Sequence, residues 1–203
     1  IDNPDYLNPD MFIRRFYRPA ADLLGGYLQG FVFEQEYQAQ KDRFPAAEFC
    51  ARLDDFFTQI PPDDRYHVEI RTESFLSPPY FDLLEKHGLG QVLSHWTWLP
   101  PLSRQFSLGR GWVMNSGRQC LIRLLTPPKM KYEDAYLKTF PFDKMVDGLL
   151  SPRMLDDTVT IMRTVIDQGC QVNVSVNNRA GGNAPIIAQL LSKKFLDSLP
   201  RPS

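Results

Sequence analysis

Residues 171–177, Gln-Val-Asn-Val-Ser-Val-Asn, alternate without a break. In an extended chain every valine falls on one side and every polar residue on the other. A strand inside an open doubly wound sheet is covered by helices on both faces and is apolar on both. A barrel strand needs apolar side chains outward, against helices, and tolerates polar ones inward near a ligand-binding mouth. The same division recurs upstream: Glu69 shares a side with Arg71, and Arg123 shares one with Leu121 and Leu125.

These segments belong to an alternation of strands and helices. Residues 9–24 read as a helix that Pro19 should kink or split and Gly25-Gly26 ends. An apolar strand over 27–35 follows. Pro45 then opens a helix with Phe49, Leu53, Phe56, Phe57 and Ile60 at helical spacing. Beyond the Pro61-Pro62-Asp63-Asp64 turn come a strand at 66–71 and a short helix from Pro78 to a Gly88 cap. A strand at 91–97 leads into a long loop, 99–117, punctuated by proline and glycine. A strand at 119–125, a helix at 152–168, a strand at 171–176 and a helix at 183–196 complete the pattern.

Such alternation is the mark of βαβ units and a parallel sheet. The expected fold is a parallel α/β barrel of TIM type, with residues 1–203 a single domain holding the last five βα units. Five strands cannot close an eight-stranded barrel. Either three earlier units precede this chain or the fold is a smaller open sheet. The chain begins at Ile1 rather than Met, so the natural N-terminus is expected upstream.

Composition removes several function classes. The formal net charge is −1, from 23 basic and 24 acidic residues, which argues against a general nucleic-acid coat or a membrane-surface protein. No stretch approaches the ~18 apolar residues of a membrane span. Cys50, Cys120 and Cys170 are odd in number and far apart, as expected of reduced thiols in a cytoplasmic protein. The three histidines, His67, His87 and His95, form no HxH or HExxH pair, so no metal or other cofactor is expected from these residues. No GxSxG nucleophile motif occurs.

Several segments, in order and spacing, carry a resemblance. They are Leu24-Gly25-Gly26-Tyr27-Leu28-Gln29-Gly30 with Phe31-Val32-Phe33-Glu34-Gln35, then Val68-Glu69-Ile70-Arg71, then Ile122-Arg123-Leu124, and finally Val176-Asn177-Asn178-Arg179-Ala180-Gly181-Gly182-Asn183-Ala184-Pro185. Together they resemble the YecE-like family, domain of unknown function 72. The resemblance implies a TIM-type barrel, assigns this chain strands four to eight, and brings no established activity. The chain departs from the family pattern at Glu36-Tyr37-Gln38, at Arg71-Thr72 and Phe75, and at Leu125-Thr126-Pro127-Pro128.

In barrel enzymes working residues sit at the C-terminal ends of strands. Glu69 and Arg71 could serve there as a general acid/base and an anion clamp, or form a structural ion pair that includes Arg123. Arg123 stands alone among leucines and isoleucine and requires a carboxylate or a ligand anion. Asn177, Asn178, Gly181 and Gly182 lead into a helix whose first N–H groups could bind an anion; a plain turn would need the same glycines and asparagines. Gln35 and His95 complete the set of ligand-binding candidates. The leading reading is an anionic small molecule, a phosphate or carboxylate ester, bound at the barrel mouth, with proton-transfer or hydrolytic chemistry through Glu69. A second is a non-catalytic nucleic-acid binder using Trp96, Trp98 and the loop arginines Arg104, Arg110 and Arg118. A third is a polar barrel interior that is purely structural. The oligomeric state is not legible.

Overall fold

The computed structural model describes residues 6–200. The expectation of a natural start upstream of Ile1 lies outside the described residues. The first helical run is α1 (Pro9–Phe12), a π-helical turn (Ile13–Tyr17) and α2 (Arg18–Leu24). Asn8 caps it, accepting the Met11 N–H at 3.0 Å. The wide turn sits where Pro19 was expected to disturb the helix: the Arg18 N–H reaches back five residues to the Ile13 carbonyl. Proline has no N–H for the next α-helical bond, and the π turn absorbs that loss.

Strand β1 spans only Phe31–Glu34, shorter than the 27–35 expected, because Gly25–Tyr27 wind into a 3-10 turn. The remaining elements are α3 (Ala46–Gln59), β2 (Tyr66–Glu69), α4 (Pro78–His87), β3 (Gly90–His95), α5 (Leu102–Leu108), β4 (Gln119–Leu124), α6 (Tyr132–Thr139), α7 (Pro152–Asp167), β5 (Gln171–Val176) and α8 (Ala184–Asp197). Gly88 ends α4 at φ 63°, the left-handed cap its position implied.

The segment expected to be one long loop, 99–117, contains α5. Its signal is Pro100-Pro101 before the first turn, the device that also starts α3 after Pro45. The helix is held by a buried side chain. The Gln105 amide donates to the Ser94 and Pro100 carbonyls at 2.8 and 2.7 Å and accepts from the Ser94 N–H at 3.1 Å. The β2–β3 pairing is recorded only at His67 and Val68, and Gln105 takes over the Ser94 backbone groups beyond it.

The strands lie in the order β1-β2-β3-β4-β5, all neighbours parallel, in a sheet that does not close; β1 and β5 are its edges. Register pairs Glu34 with Glu69 across β1 and β2, and Ser94, Arg123 and Ser175 across β3, β4 and β5. Alternation therefore gives the sheet a polar face and an apolar face. On the apolar face, Phe33, Val68 and Ile70 pack with Phe49, Leu53, Phe56, Tyr80 and Leu84 from α3 and α4. Leu93, Ile122, Leu124 and Val174 pack with Leu102, Met154, Val159, Val165, Ile187 and Leu191 from α5, α7 and α8.

At the start of the polar face, the His67 ring lies over Gly90. A Cβ built on Gly90 would stand 2.2 Å from the His67 Cδ2. The ring is fixed there, with Nδ1 3.0 Å from the Arg65 carbonyl and Nε2 3.3 Å from that of Gln119. Gly90→Ala is accordingly expected to cost about 1–3 kcal/mol through overpacking. Urea unfolding measures this, and adding His67→Ala should make the second alanine much less costly. Equal costs in both backgrounds would place the strain elsewhere.

Candidate functional site

Four charged side chains meet near the C-terminal ends of β1, β2 and β4. Glu69, the last residue of β2, is fully buried. Its Oε1 accepts from the Ser94 hydroxyl at 2.6 Å and lies 3.1 Å from Arg71 Nη2; its Oε2 is bonded by Arg123 Nη1. The same two guanidiniums face a second carboxylate. Glu34 Oε2 is 3.0 Å from Arg71 Nη2 and accepts from Arg123 Nη1 at 2.9 Å. The Glu34 side chain is 50% exposed, whereas that of Arg71 is 7% exposed. Two carboxylates thus hold two guanidiniums, one from the inside and one from the solvent side.

Electrostatics follow this geometry. Burial alone would raise the Glu34 pKa, but the Arg123 and Arg71 charges outweigh it and hold the carboxyl below its ordinary range. Burial works against the Arg123 charge, and Glu69 and Glu34 more than compensate, so its pKa lies above the usual value.

Unpartnered donors lie at the same ends of the strands. The Arg71 guanidinium carbon sits 4.3 Å from the centre of the Trp96 ring. Yet Arg71 Nε and Trp96 Nε1 are both buried without an acceptor, as are Thr126 Oγ1 and Arg179 Nε. These four residues follow the ends of β2, β3, β4 and β5. Arg179 stacks at 4.1 Å on the half-exposed Tyr132 ring. Its pKa is lowered by burial, an effect that Tyr132 opposes and the nearby Arg71 charge reinforces. Among the described residues Arg179 has no carboxylate partner. Arg71, Arg123 and Arg179 against Glu34 and Glu69 leave one positive charge in excess.

Of the residues singled out from sequence, Glu69, Arg71 and Arg123 are brought together. Gln35 and His95 are not with them. Gln35 follows the parity of Phe33, on the apolar face; its N–H donates to the Glu69 carbonyl and its side chain accepts from the Tyr6 hydroxyl at 2.5 Å. His95 pairs in register with Leu124 and Val176, again on the apolar face. It is buried, its Nδ1 has no partner, and burial pushes its pKa down to about 4.

The turn after β5 is satisfied from within. Asn177 Oδ1 accepts from the Arg179 N–H, Asn178 Oδ1 from Ala184, and Asn183 Oδ1 from Ile186. The Ile187 N–H goes to the Asn183 carbonyl and Pro185 has none, so the first turn of α8 keeps no spare donor. Gly181 is extended, at φ −177°, and its carbonyl accepts the Val146 N–H. Gly182 sits at φ 116°, and a Cβ there would meet the Lys144 carbonyl oxygen at 2.3 Å. These glycines and asparagines build the turn that carries Arg179.

Alternation could have revealed Glu34 and Ser94. Glu34 is the polar residue after Phe31 and Phe33, and Ser94 lies between Leu93 and His95. Nothing periodic marks Arg179, which lies in a turn. Of the loop arginines, Arg110 pairs with Asp82 and Glu85, and Arg118 is bonded to the Gln168 and Gly169 carbonyls. No group of three or more His, Cys, Asp or Glu side chains suited to a metal ion occurs among the described residues. No described helix is long and apolar enough to cross a membrane.

The model of the family "Protein of unknown function DUF72" matches residues 8–202. The chain belongs to the DUF72 family. Solved structures of DUF72 proteins share its fold. One from Enterococcus faecalis V583 superposes with a TM-score of 0.58 at 16% identity, covering 93% of this chain and 67% of that one. One from Thermotoga maritima MSB8 gives 0.56 at 19% identity, covering 94% and 66%. The chain thus spans about two thirds of the length of these DUF72 structures. No curated protein matches it.

Proposed function

We propose that this DUF72 chain binds an anionic small molecule at the C-terminal ends of its strands, on the polar face of the sheet. The observation that carries this reading is the set of buried donors without acceptors, Arg71 Nε, Trp96 Nε1 and Arg179 Nε, beside a cluster with one excess positive charge. An unsatisfied buried polar group costs about 1–3 kcal/mol, and an oxyanion is the ligand that would satisfy several at once.

Binding is favoured over proton transfer by Glu69. Both its oxygens are already engaged, by Ser94 and two guanidiniums, so one contact would have to open before it could act as acid or base. Nucleic acid is the weaker candidate: two of the three loop arginines are tied down and the Trp96 ring carries Arg71 on one face.

The reading extends to architecture. An all-parallel sheet is normally covered on both faces unless it forms a barrel wall. Here the helices that pack on the sheet cover the apolar face, and the ion-paired Glu34, Glu69, Arg71 and Arg123 meet on the other, alongside Val92 and Leu121. That asymmetry supports an arc of a TIM-type barrel, with residues 1–203 as its later part and the site at its mouth.

The test is thermal unfolding of the chain with inorganic phosphate, phosphate esters and small carboxylates. A ligand at about 100 times its dissociation constant should add about 2.7 kcal/mol of stability. The gain should vanish in Arg123→Ala and shrink in Arg179→Ala. A gain unchanged in both variants would place binding elsewhere.

A further inference from the structure

The solvent side of the Arg71–Arg123 pair is occupied by a group of the protein itself. Glu34 Oε2 touches both Arg71 Nη2 and Arg123 Nη1, at 3.0 and 2.9 Å, in the position an incoming oxyanion would take. Glu69 meets the same two nitrogens from the buried side. The two carboxylates differ in what holds them. Glu69 is fully buried and receives the Ser94 hydroxyl; Glu34 is half exposed on edge strand β1, and the guanidiniums are its only ion-pair partners among the described residues.

We infer that Glu34 is an internal competitor for the anion seat, and that the site selects ligands bearing a doubly charged oxyanion, such as a phosphate monoester, over singly charged carboxylates. This rests on the anion-binding reading above. A tethered carboxylate acts at an effective concentration of about millimolar or more. A singly charged carboxylate would replace Glu34 with a chemically equivalent group and gain little. A phosphate dianion brings a second charge and a third oxygen, to which Arg179, a cation without a carboxylate partner among the described residues, offers a further favourable charge. Displaced Glu34 has solvent to move into, whereas displaced Glu69 would not.

The experiment is a calorimetric titration of the chain with inorganic phosphate and with acetate, in the wild type, Glu34→Gln, Glu34→Asp and Arg123→Ala. Glu34→Gln is expected to bind phosphate about tenfold tighter and to acquire measurable acetate binding. Glu34→Asp keeps the charge but shortens the reach, so it too should bind phosphate more tightly. Tighter binding in Glu34→Gln alone would mean that only the local charge matters, and would overturn competition for the seat. Weaker binding in Glu34→Gln would make Glu34 part of the ligand's own contacts, and overturns it as well. If wild type and Glu34→Gln show no phosphate binding that Arg123→Ala removes, the anion-site reading fails first and the competitor with it.

Discussion

Glu69→Ala is expected to lower the unfolding free energy by about 3–5 kcal/mol, the usual cost of removing one partner from a buried ion pair. The reason lies in what remains. Arg71, with a side chain 7% exposed, would keep only Glu34 as a carboxylate partner, and that group sits at the solvent boundary. Ser94 would lose the acceptor for its hydroxyl in a fully buried position. For a chain of this size each kcal/mol is worth about 2–4 °C, so a melting point lower by roughly ten degrees should be seen by calorimetry. Arg123→Ala should cost less, because its side chain is partly exposed and Arg71 still neutralises Glu69. The double variant Glu69→Ala/Arg71→Ala should cost clearly less than the sum of the two single changes. Strict additivity would show that the pair is not energetically coupled.

A second large effect should come from pH. His95 is buried on the apolar face, and its pKa is pushed down to about 4 by burial, with Asp157 acting weakly in the opposite direction. Its reference value is about 6.5 in the unfolded chain. Because the folded pKa lies below the unfolded one, the folded state resists protonation. The neutral ring's contribution is complete above about pH 6.5 and is lost as pH falls toward about 4. The full difference is about 3 kcal/mol, of which about 2 kcal/mol should disappear between about pH 7.5 and 5. His67, whose pKa is also lowered by burial, acts in the same direction. Denaturant unfolding at several pH values tests this, with His95→Gln expected to flatten most of the slope. An unchanged slope in that variant would assign the acid sensitivity to other groups.

His95 also illustrates how far sequence carries. Alternation within 171–177 put the valines on one face and favoured a barrel wall; in the structure Val172, Val174 and Val176 do pack together against the helices, in a parallel sheet that does not close. The strand–helix order required a parallel sheet, and all four strand pairings are parallel. Glu69 and Arg71 were legible as a same-side pair because two residues along a strand always return to the same face. Gln35 and His95 were chosen for their place at strand ends, yet parity puts them behind the sheet. Position along a strand says how near a residue is to the mouth, and only parity says which face it serves.

Helix α5 was hidden because proline and glycine around it read as loop punctuation, while the contact that fixes it, Gln105 on the Ser94 backbone, is tertiary. The glycines and asparagines after β5 suggested an anion cradle. Whether N–H groups in such a turn are free or used depends on side chains several residues away, as Asn178 on Ala184 shows.

The sequence by itself determined the class of the fold, the parallel pairing and the two-faced sheet, because these follow from periodicity and local connection rules. It also determined that Arg123, a cation among leucines, had to find a partner. Only the tertiary structure decided which carboxylates those are, since Glu34 lies 89 positions away from Arg123 and Glu69 lies 54. It alone also brought Arg179 from a turn to within range of Arg71. Contacts between residues so far apart are set by strand order and register across the whole sheet, information that no local window of sequence contains.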